Sequence, residues 1–416
     1  MQNRMRQDAE QIAREAIRSC LPDEAVKRAL EGRRFPGRIV LAAIGKAAWR
    51  MAAAAWKAMG PEQIQRGAVL TKYGHLAGPI GTLELYEAGH PVLDAASVSG
   101  TERILELVQG LGPEDTVLFL VSGGGSALFE KPLVPLEELA DVNRQLLACG
   151  ASISEMNMIR KRLSAVKGGR FAELCRPARV FAVVLSDVVG DRLDVIASGP
   201  ACPDASTSAE ALTIAEQYGL QLSARVWELL RQETPKTLDN VETKITGSVS
   251  ELCRAAAAQA AALGYRPWIL TDTMACQAKE AGAFLASCAR YQLENGTEPV
   301  ALIAGGETVV ELTGSGLGGR NQEFALAAAA VLDGTDGVTL ISAGSDGTDG
   351  PTDAAGGIVD GSTAETLRRE GISIPEILKN NDAYRALSRC GGLLVTGPTG
   401  TNVNDVAVAL VRPAGC

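Results

Sequence analysis

The chain has 416 residues, 46% of them hydrophobic and 21% charged, and carries a formal charge of -9. That make-up belongs to a folded chain long enough for two or three domains, and its acidity argues against a general nucleic-acid or anionic-membrane surface. No apolar run reaches the length of a bilayer span, and the charged opening MQNRMRQDAEQIAREAIRS lacks a signal-peptide core. The nine cysteines are widely spaced without a CxxC pair, so they read as reduced thiols of a cytoplasmic protein. With only His75 and His90 in the chain, a histidine-based zinc centre is not expected.

The first thirty-odd residues read as helical. GRIVLAAIGKAAWRMAAAAWKAMG then gives an apolar strand, a break at Gly45-Lys46 and an Ala/Met/Trp-rich helix. Strands are expected at about 67–71, 82–86 and 116–121, a helix over LEELADVNRQLLACG, and a further strand in ARVFAVVLSDVVGD ending near Ser186-Asp187. Continuous apolar strands separated by helices predict a parallel sheet covered on both faces, a doubly wound α/β architecture. The polar stretch RQETPKTLDNVETKITGS suggests a boundary near 240, dividing the chain into 1–240 and 241–416. Beyond it come a helix in SELCRAAAAQAAALG, a strand in PWILTD, and a helix in KEAGAFLASCARYQ. EPVALIAGGETVVELTG reads as a strand with hairpin-like material, and GVTLISAGSDG and GLLVTGPTG end apolar runs at glycine turns. This second set reads as a smaller α/β domain with a mixed sheet.

Open α/β folds bind ligands beyond the C-terminal ends of their strands, where this sequence repeatedly sets its unusual residues. Lys46 follows AAIG at a helix start, so ammonium and helix N-terminus can meet one phosphate. Ser122-Gly123-Gly124-Gly125-Ser126 closes the run Val117 to Val121, and its glycines allow a sharp turn that presents N–H groups to an anion. SDVVGD sets Asp187 and Asp191 at a strand end, suited to magnesium, to deprotonating a hydroxyl, or to capping. In MNMIRKRLSAVKGGR, helical spacing lets Asn157, Arg160, Lys161 and Ser164 present donors from one face, with Lys167, Gly168, Gly169 and Arg170 following.

The later half continues the pattern. Glu307 follows a glycine pair, and Gly318-Gly319-Arg320-Asn321 opens a helix where a guanidinium can grip a phosphate or carboxylate. SAGSDGTDGPTDAAGG holds Asp346, Asp349 and Asp353 without the ligand order of an EF-hand, and TGPTGTNVND adds small hydroxyl and amide groups. Basic and acidic loops in both halves point to an interdomain cleft for phosphorylated ligands. A Walker motif is absent, since Gly45-Lys46 is followed by Ala47. The GxGxxG match in GSGLGG at 314–319 stands in the wrong context for a dinucleotide fold.

Taken in order, AIGKAAWRMA, TKYGH, EAGHPVLD, FLVSGGGSAL, MNMIRKRLSAVKGGR, VLSDVVGDRLDVIASGP, GGETVV, GGRNQEFAL, AGSDGTDGPTDAAG and TGPTGTNVND resemble the glycerate 2-kinase family. Some members of that family have been labelled hydroxypyruvate reductases. The resemblance implies an N-terminal Rossmann-like domain and a smaller C-terminal MOFRL-type domain. It also implies transfer of the ATP γ-phosphoryl group to the 2-hydroxyl of D-glycerate with Mg²⁺, giving 2-phosphoglycerate and ADP. The family's functional lysine and arginine fall on Lys46 and Arg320. One departure is TMACQAKEA, where Gln277 stands in place of an expected acid.

Within that reading Lys46 and Arg320 clamp the transferring phosphoryl group, and Asp187 or Asp191 orients Mg²⁺ or the substrate hydroxyl. Glu307 joins the metal candidates. Arg160 pairs with the glycerate carboxylate, with Ser122 and Asn321 beside the substrate. Gly123, Gly124, Gly125, Ser126, Lys167, Gly168 and Gly169 hold the nucleotide. The implied partner is a small molecule, with no nucleic acid or membrane, and the assembly is a monomer or homodimer. Two other readings stay open: an NAD(P)H-dependent hydroxypyruvate reductase using His75 or His90 as proton donor, and a non-catalytic protein that binds phosphorylated metabolites.

Overall fold

In the computed structural model, residues 2–414 are described, and Cys416 lies outside them. The chain divides into two compact units. One comprises Ala25–Ser186 and Asp191–Thr246, and the other Met1–Glu24, Asp187–Gly190 and Gly247–Cys416. The sequence reading set a single division at 240/241, whereas the chain crosses between units at four places.

The first unit carries β1 (Ile39–Ile44), β2 (Ile64–Lys72), β3 (Glu84–Ala88), β4 (Thr116–Val121), β5 (Arg179–Leu185) and β6 (Val241–Gly247) in the order β3-β2-β1-β4-β5-β6. The pairs from β3 through β5 are parallel. Every residue of β1 and β4 is buried, which is why both read as unbroken apolar runs. Alternate residues serve opposite faces. Leu41, Ala43, Leu118, Leu120, Phe181 and Val183 join a core with the helix Ala48–Met59. On the other face Phe119 meets the rings of Phe129 and Phe171 at 5.9 and 4.6 Å, and Leu70 meets Gly100 of the helix Ala95–Leu107. The doubly wound expectation therefore holds.

β6 falls inside the stretch read as a linker. Its sequence VETKITG mixes polar with apolar residues because most of this edge strand is only half buried. The half-buried edge strand β3 likewise starts two residues later than expected.

The second unit holds β7 (Arg266–Met274), β8 (Val300–Gly306), β9 (Val338–Gly344), β10 (Gly356–Asp360), β11 (Leu393–Leu394) and β12 (Asp405–Val411), ordered β11-β10-β9-β12-β8-β7. Only β7 and β8 pair in parallel; the other neighbours are antiparallel, making the mixed sheet expected. The sequence reading missed β10 and β12. Both are fully buried strands entered from glycine- or Asn-rich loops that drew attention as site material instead. Among the described residues no hairpin follows β8; the segment beyond it is irregular apart from Val309, which bridges Gln277 in parallel.

The period of two along the central strands again sorts side chains to two covers. Ala301, Ile303, Val406 and Val408 pack with the helices Gln2–Ser19 and Val249–Ala262. Leu302, Leu340, Ala407 and Ala409 pack with the helices Ala278–Asn295 and Arg320–Val331. Met5, Ala9, Ile12, Ala13, Ala16 and Ile17 form the buried stripe of the N-terminal helix, at the spacing a 3.6-residue turn requires. That stripe is what places the helix in the second unit.

Among the described residues no helix is long and apolar enough to cross a membrane. The eight described cysteines are free thiols, with Cys202 half-buried and Cys276 exposed.

Candidate active site

Strand order reverses between β1 and β4, the place where sheets of this order open a ligand crevice. The two loops leaving these strands meet there. Lys46 N–H donates to Gly123 O at 2.8 Å, and Ala47 N–H donates to Ser122 Oγ at 3.0 Å. Ser122 Oγ in turn donates to Ile44 O at 3.2 Å, so this buried hydroxyl laces the loops together. Gly45 adopts φ 107, and a Cβ there would lie 2.3 Å from Ser122 O. Only glycine allows that approach.

Gly124, at φ 86, turns the chain beneath His90 and Lys46; an added Cβ would come within 3.0 Å of the imidazole and 3.2 Å of Lys46 Cγ. The N–H groups of Gly123 and Gly124 have no acceptor among the described residues, and the half-buried Lys46 ammonium has no partner there either. Two unspent backbone donors beside an unspent cation make an anion cradle. Ser126 hydrogen-bonds the Ser198 hydroxyl at 3.1 Å just behind it.

Lys167 is placed differently from expectation. It is buried, ion-paired with buried Glu130, and donates to Ser126 O at 2.8 Å. Gly168 and Gly169 spend their N–H groups on Ser198 O and Gly199 O at 3.0 and 2.7 Å. This segment braces the Ser122–Ser126 turn from inside, leaving no spare donors for phosphate. The neighbouring helix Ile153–Arg162 also fails to present one donor face. Lys161 is buried on Asp204 at 3.1 Å, Asn157 is buried, and Ser164 lies past the helix end. Arg160 donates to Asn143 Oδ1 at 2.6 Å, and burial lowers its pKa against the opposing charge of Glu130.

In the second unit, register sets the start of β12 beside the ends of β8 and β9, with Asp405 opposite Gly306 and Gly344. Arg320 there grips buried Asp405 through Nε and Nη2 at 2.5 and 2.9 Å, and its Nη1 lies 3.4 Å from Glu307. Burial opposes the guanidinium charge, but the hydrogen bonds and charge of Asp405 outweigh it and hold Arg320 protonated. Asn404, at φ 64, donates to Glu307 Oε2 at 3.2 Å and to Asp187 O at 3.3 Å, while its own Oδ1 is buried without a donor. Asp187 and Asp191 fall in different compact units, and Asp191 Oδ1 is another buried oxygen without a partner. Among the described residues no three His, Cys, Asp or Glu side chains gather as a metal-holding group. Gln277, the departure noted in the sequence, accepts from Glu311 N–H at 3.2 Å.

Asn321 is buried and bonded within its own unit. Its N–H donates to Asp349 Oδ1 at 3.1 Å and its Oδ1 accepts from Ser342 at 2.7 Å. Asp349, with Gln322 N–H at 2.8 Å on its other oxygen, caps the helix that carries Arg320. Gly319 is obligatory beside it, since a Cβ would lie 2.4 Å from the carboxyl carbon. Sequence reasoning missed Glu130 and Asp405 and singled out Asp349 only as a loop acid; the Asp ending TGTNVND, just ahead of an apolar run, was the signal for Asp405.

Burial pushes the Asp349 carboxyl from its ordinary 3.8 up to about 6, against the pull of its backbone donors. Between those values the folded chain keeps a proton that the unfolded chain has released. Stability from this group therefore falls as pH rises through that window. Asp349→Asn is expected to remove about 3 kcal/mol of that decline. Urea unfolding of both proteins across pH 4 to 7 checks it, and parallel curves would contradict it.

Residues 8–231 match the family described as DUF4147, a domain of unknown function, and residues 300–405 match the MOFRL family. The D-glycerate 2-kinase of Thermotoga maritima is 54% identical over 96% of this chain and 97% of its own. The chain belongs to the glycerate 2-kinase family. A second relative, the glycerate 2-kinase of Pyrococcus horikoshii, is 39% identical over 95% of each chain. The crystal structure of the Thermotoga maritima glycerate kinase superposes with a TM-score of 0.94 at 53% identity, covering 99% of this chain and 100% of that one. The two-domain architecture expected from the family is thus the observed one.

Proposed function

We propose that this protein transfers the γ-phosphoryl group of ATP to the 2-hydroxyl of D-glycerate, releasing 2-phosphoglycerate and ADP. The observation that carries this reading is the unspent Lys46 ammonium beside the unspent Gly123 and Gly124 donors at the sheet's switch point. Family membership supplies the substrate, since the relatives named above are glycerate kinases.

In this reading the Gly123–Gly124 amides receive phosphate oxygens and Lys46 meets charge that grows during transfer. Arg320 serves the same step, held in one orientation by Asp405. Arg160 receives the glycerate carboxylate. Mg²⁺ would supply charge neutralisation at the nucleotide phosphates, and one or two protein carboxylates would be enough to hold it. The partnerless Asp191 oxygen and the exposed Glu307 carboxylate are hard oxygen donors that suit it, with Asp187 as the remaining candidate. Free thiols fit a reducing cytoplasm. Action as a monomer or homodimer belongs to the same reading.

Purified protein with D-glycerate, ATP and Mg²⁺ should form ADP only when all three are present, with phosphorus on the 2-oxygen by NMR. Exclusive 3-phosphoglycerate would reject the regiochemistry. NADH oxidation by hydroxypyruvate without ADP formation would replace the reading with a reductase. Asp191→Asn should shift the Mg²⁺ titration to higher concentration; an unmoved titration would take the metal role from Asp191.

A further inference from the structure

Of the segment TGPTGTNVND, the proposed transfer draws only on Asp405, which anchors Arg320. The residue before it is built against its own stability. Asn404 is buried and left-handed at φ 64, a conformation that strains side-chain-bearing residues, although Asn tolerates it better than most. Its Oδ1 is also buried and receives no hydrogen bond. A glycine would escape both penalties.

The side chain holds two other residues. The register between β12 and β8, carried one step past Asp405 and Gly306, sets Asn404 opposite Glu307. Asn404 Nδ2 donates to Glu307 Oε2 at 3.2 Å and to Asp187 O at 3.3 Å. Both partners are acceptors, so turning the amide would set its oxygen against two others and lose both bonds. Arg320 Nη1 lies 3.4 Å from Glu307 Oε1, so the carboxylate is held from two sides while about half of its side-chain surface stays open. A neutral amide orients a carboxylate without cancelling its charge, as a second cation would. Asn404, Glu307, Asp187 and Arg320 all belong to one compact unit.

We propose that Asn404 is a positioning residue for the divalent cation. Its amide fixes the Glu307 carboxylate and the stretch of backbone from which the Asp187 carboxylate departs. These are the two metal candidates of this unit, and the assignment rests on the proposed kinase reaction. The strain and the unpaired oxygen are then accounted for by orientation of the acids and not by stability.

Two variants separate backbone from amide. Asn404→Gly keeps the left-handed turn and removes the amide, whereas Asn404→Ala removes the amide and strains the turn. Asn404→Gly is expected to match the parent in its urea midpoint, while turnover falls and the Mg²⁺ requirement rises, each about tenfold or more. Water-proton relaxation of the full chain with Mn²⁺ and ADP needs no turnover. It should show manganese held about tenfold more weakly by Asn404→Gly than by the parent. Asn404→Ala should show the same losses together with a lower urea midpoint. A lower midpoint for Asn404→Gly, with turnover and manganese affinity of the folded protein unchanged, would make Asn404 a structural residue and overturn the proposal. Lost turnover with unchanged manganese affinity also overturns it, because the amide would then serve something other than the cation. A parent chain that forms no ADP from D-glycerate and ATP defeats the kinase reading, and the manganese titration then decides Asn404 alone: equal affinities, or no binding to either protein, overturn its role.

Discussion

Lys46→Ala is expected to lower turnover about a hundredfold while leaving the fold intact and glycerate binding little changed. A contact made to charge that develops only during transfer is typically worth about 3 kcal/mol of activation free energy. The Lys46 side chain holds nothing else in place, because its ammonium has no partner among the described residues. The loop geometry comes from backbone and from Ser122: Lys46 N–H to Gly123 O, and Ala47 N–H to Ser122 Oγ. Truncation therefore removes the charge and spares the turn. Turnover and glycerate binding measured side by side decide it. A large binding loss with unchanged saturated turnover would reassign Lys46 to ground-state recognition.

Arg320→Ala should be costly in a different way. The same loss of turnover is expected, but here stability falls too. Asp405 keeps only 4% of its side-chain surface exposed, and Arg320 is its ion partner. Breaking a buried pair from one side leaves an uncompensated carboxylate, at a cost of about 3–5 kcal/mol. The second change that separates the two effects is Asp405→Asn. Arg320→Ala/Asp405→Asn should recover much of the stability in urea unfolding and none of the turnover. Recovery of turnover in that double variant would mean that Arg320 acts only by anchoring the start of β12. An Arg320→Ala protein as stable as the parent would show that the buried carboxylate is neutral or hydrated.

The contrast between these two residues shows what a sequence can carry. Gly45-Lys46, the glycines after β4 and Gly319-Arg320 were legible because close backbone approach leaves a compositional mark. The strands β1, β4, β8 and β9 were legible because burial on both faces makes unbroken apolar runs. Partnerships were not. Arg320 and Asp405 are 85 positions apart, and Lys167 and Glu130 are 37. Nothing local in either segment specifies the register that joins them. Donors in the MNMIRKRLSAVKGGR segment looked free because charge was visible and burial was not; Lys161 and Lys167 proved to be internal struts. The membership of the first helix was hidden for the same reason, since an amphipathic stripe announces that a face is covered without saying by what.

That helix has a consequence for how the chain comes to be made. The stripe of Gln2–Ser19 is completed by the helix Val249–Ala262 and by strands that include β12, itself wedged between β8 and β9. During synthesis Gln2–Ser19 therefore waits with an apolar face uncovered while the whole sheet of the other unit is produced. β8 and β9 wait in turn for Asp405–Val411 to slot between them. One unit's segments are made on either side of the other's, and its earlier pieces are open to wrong partners in between.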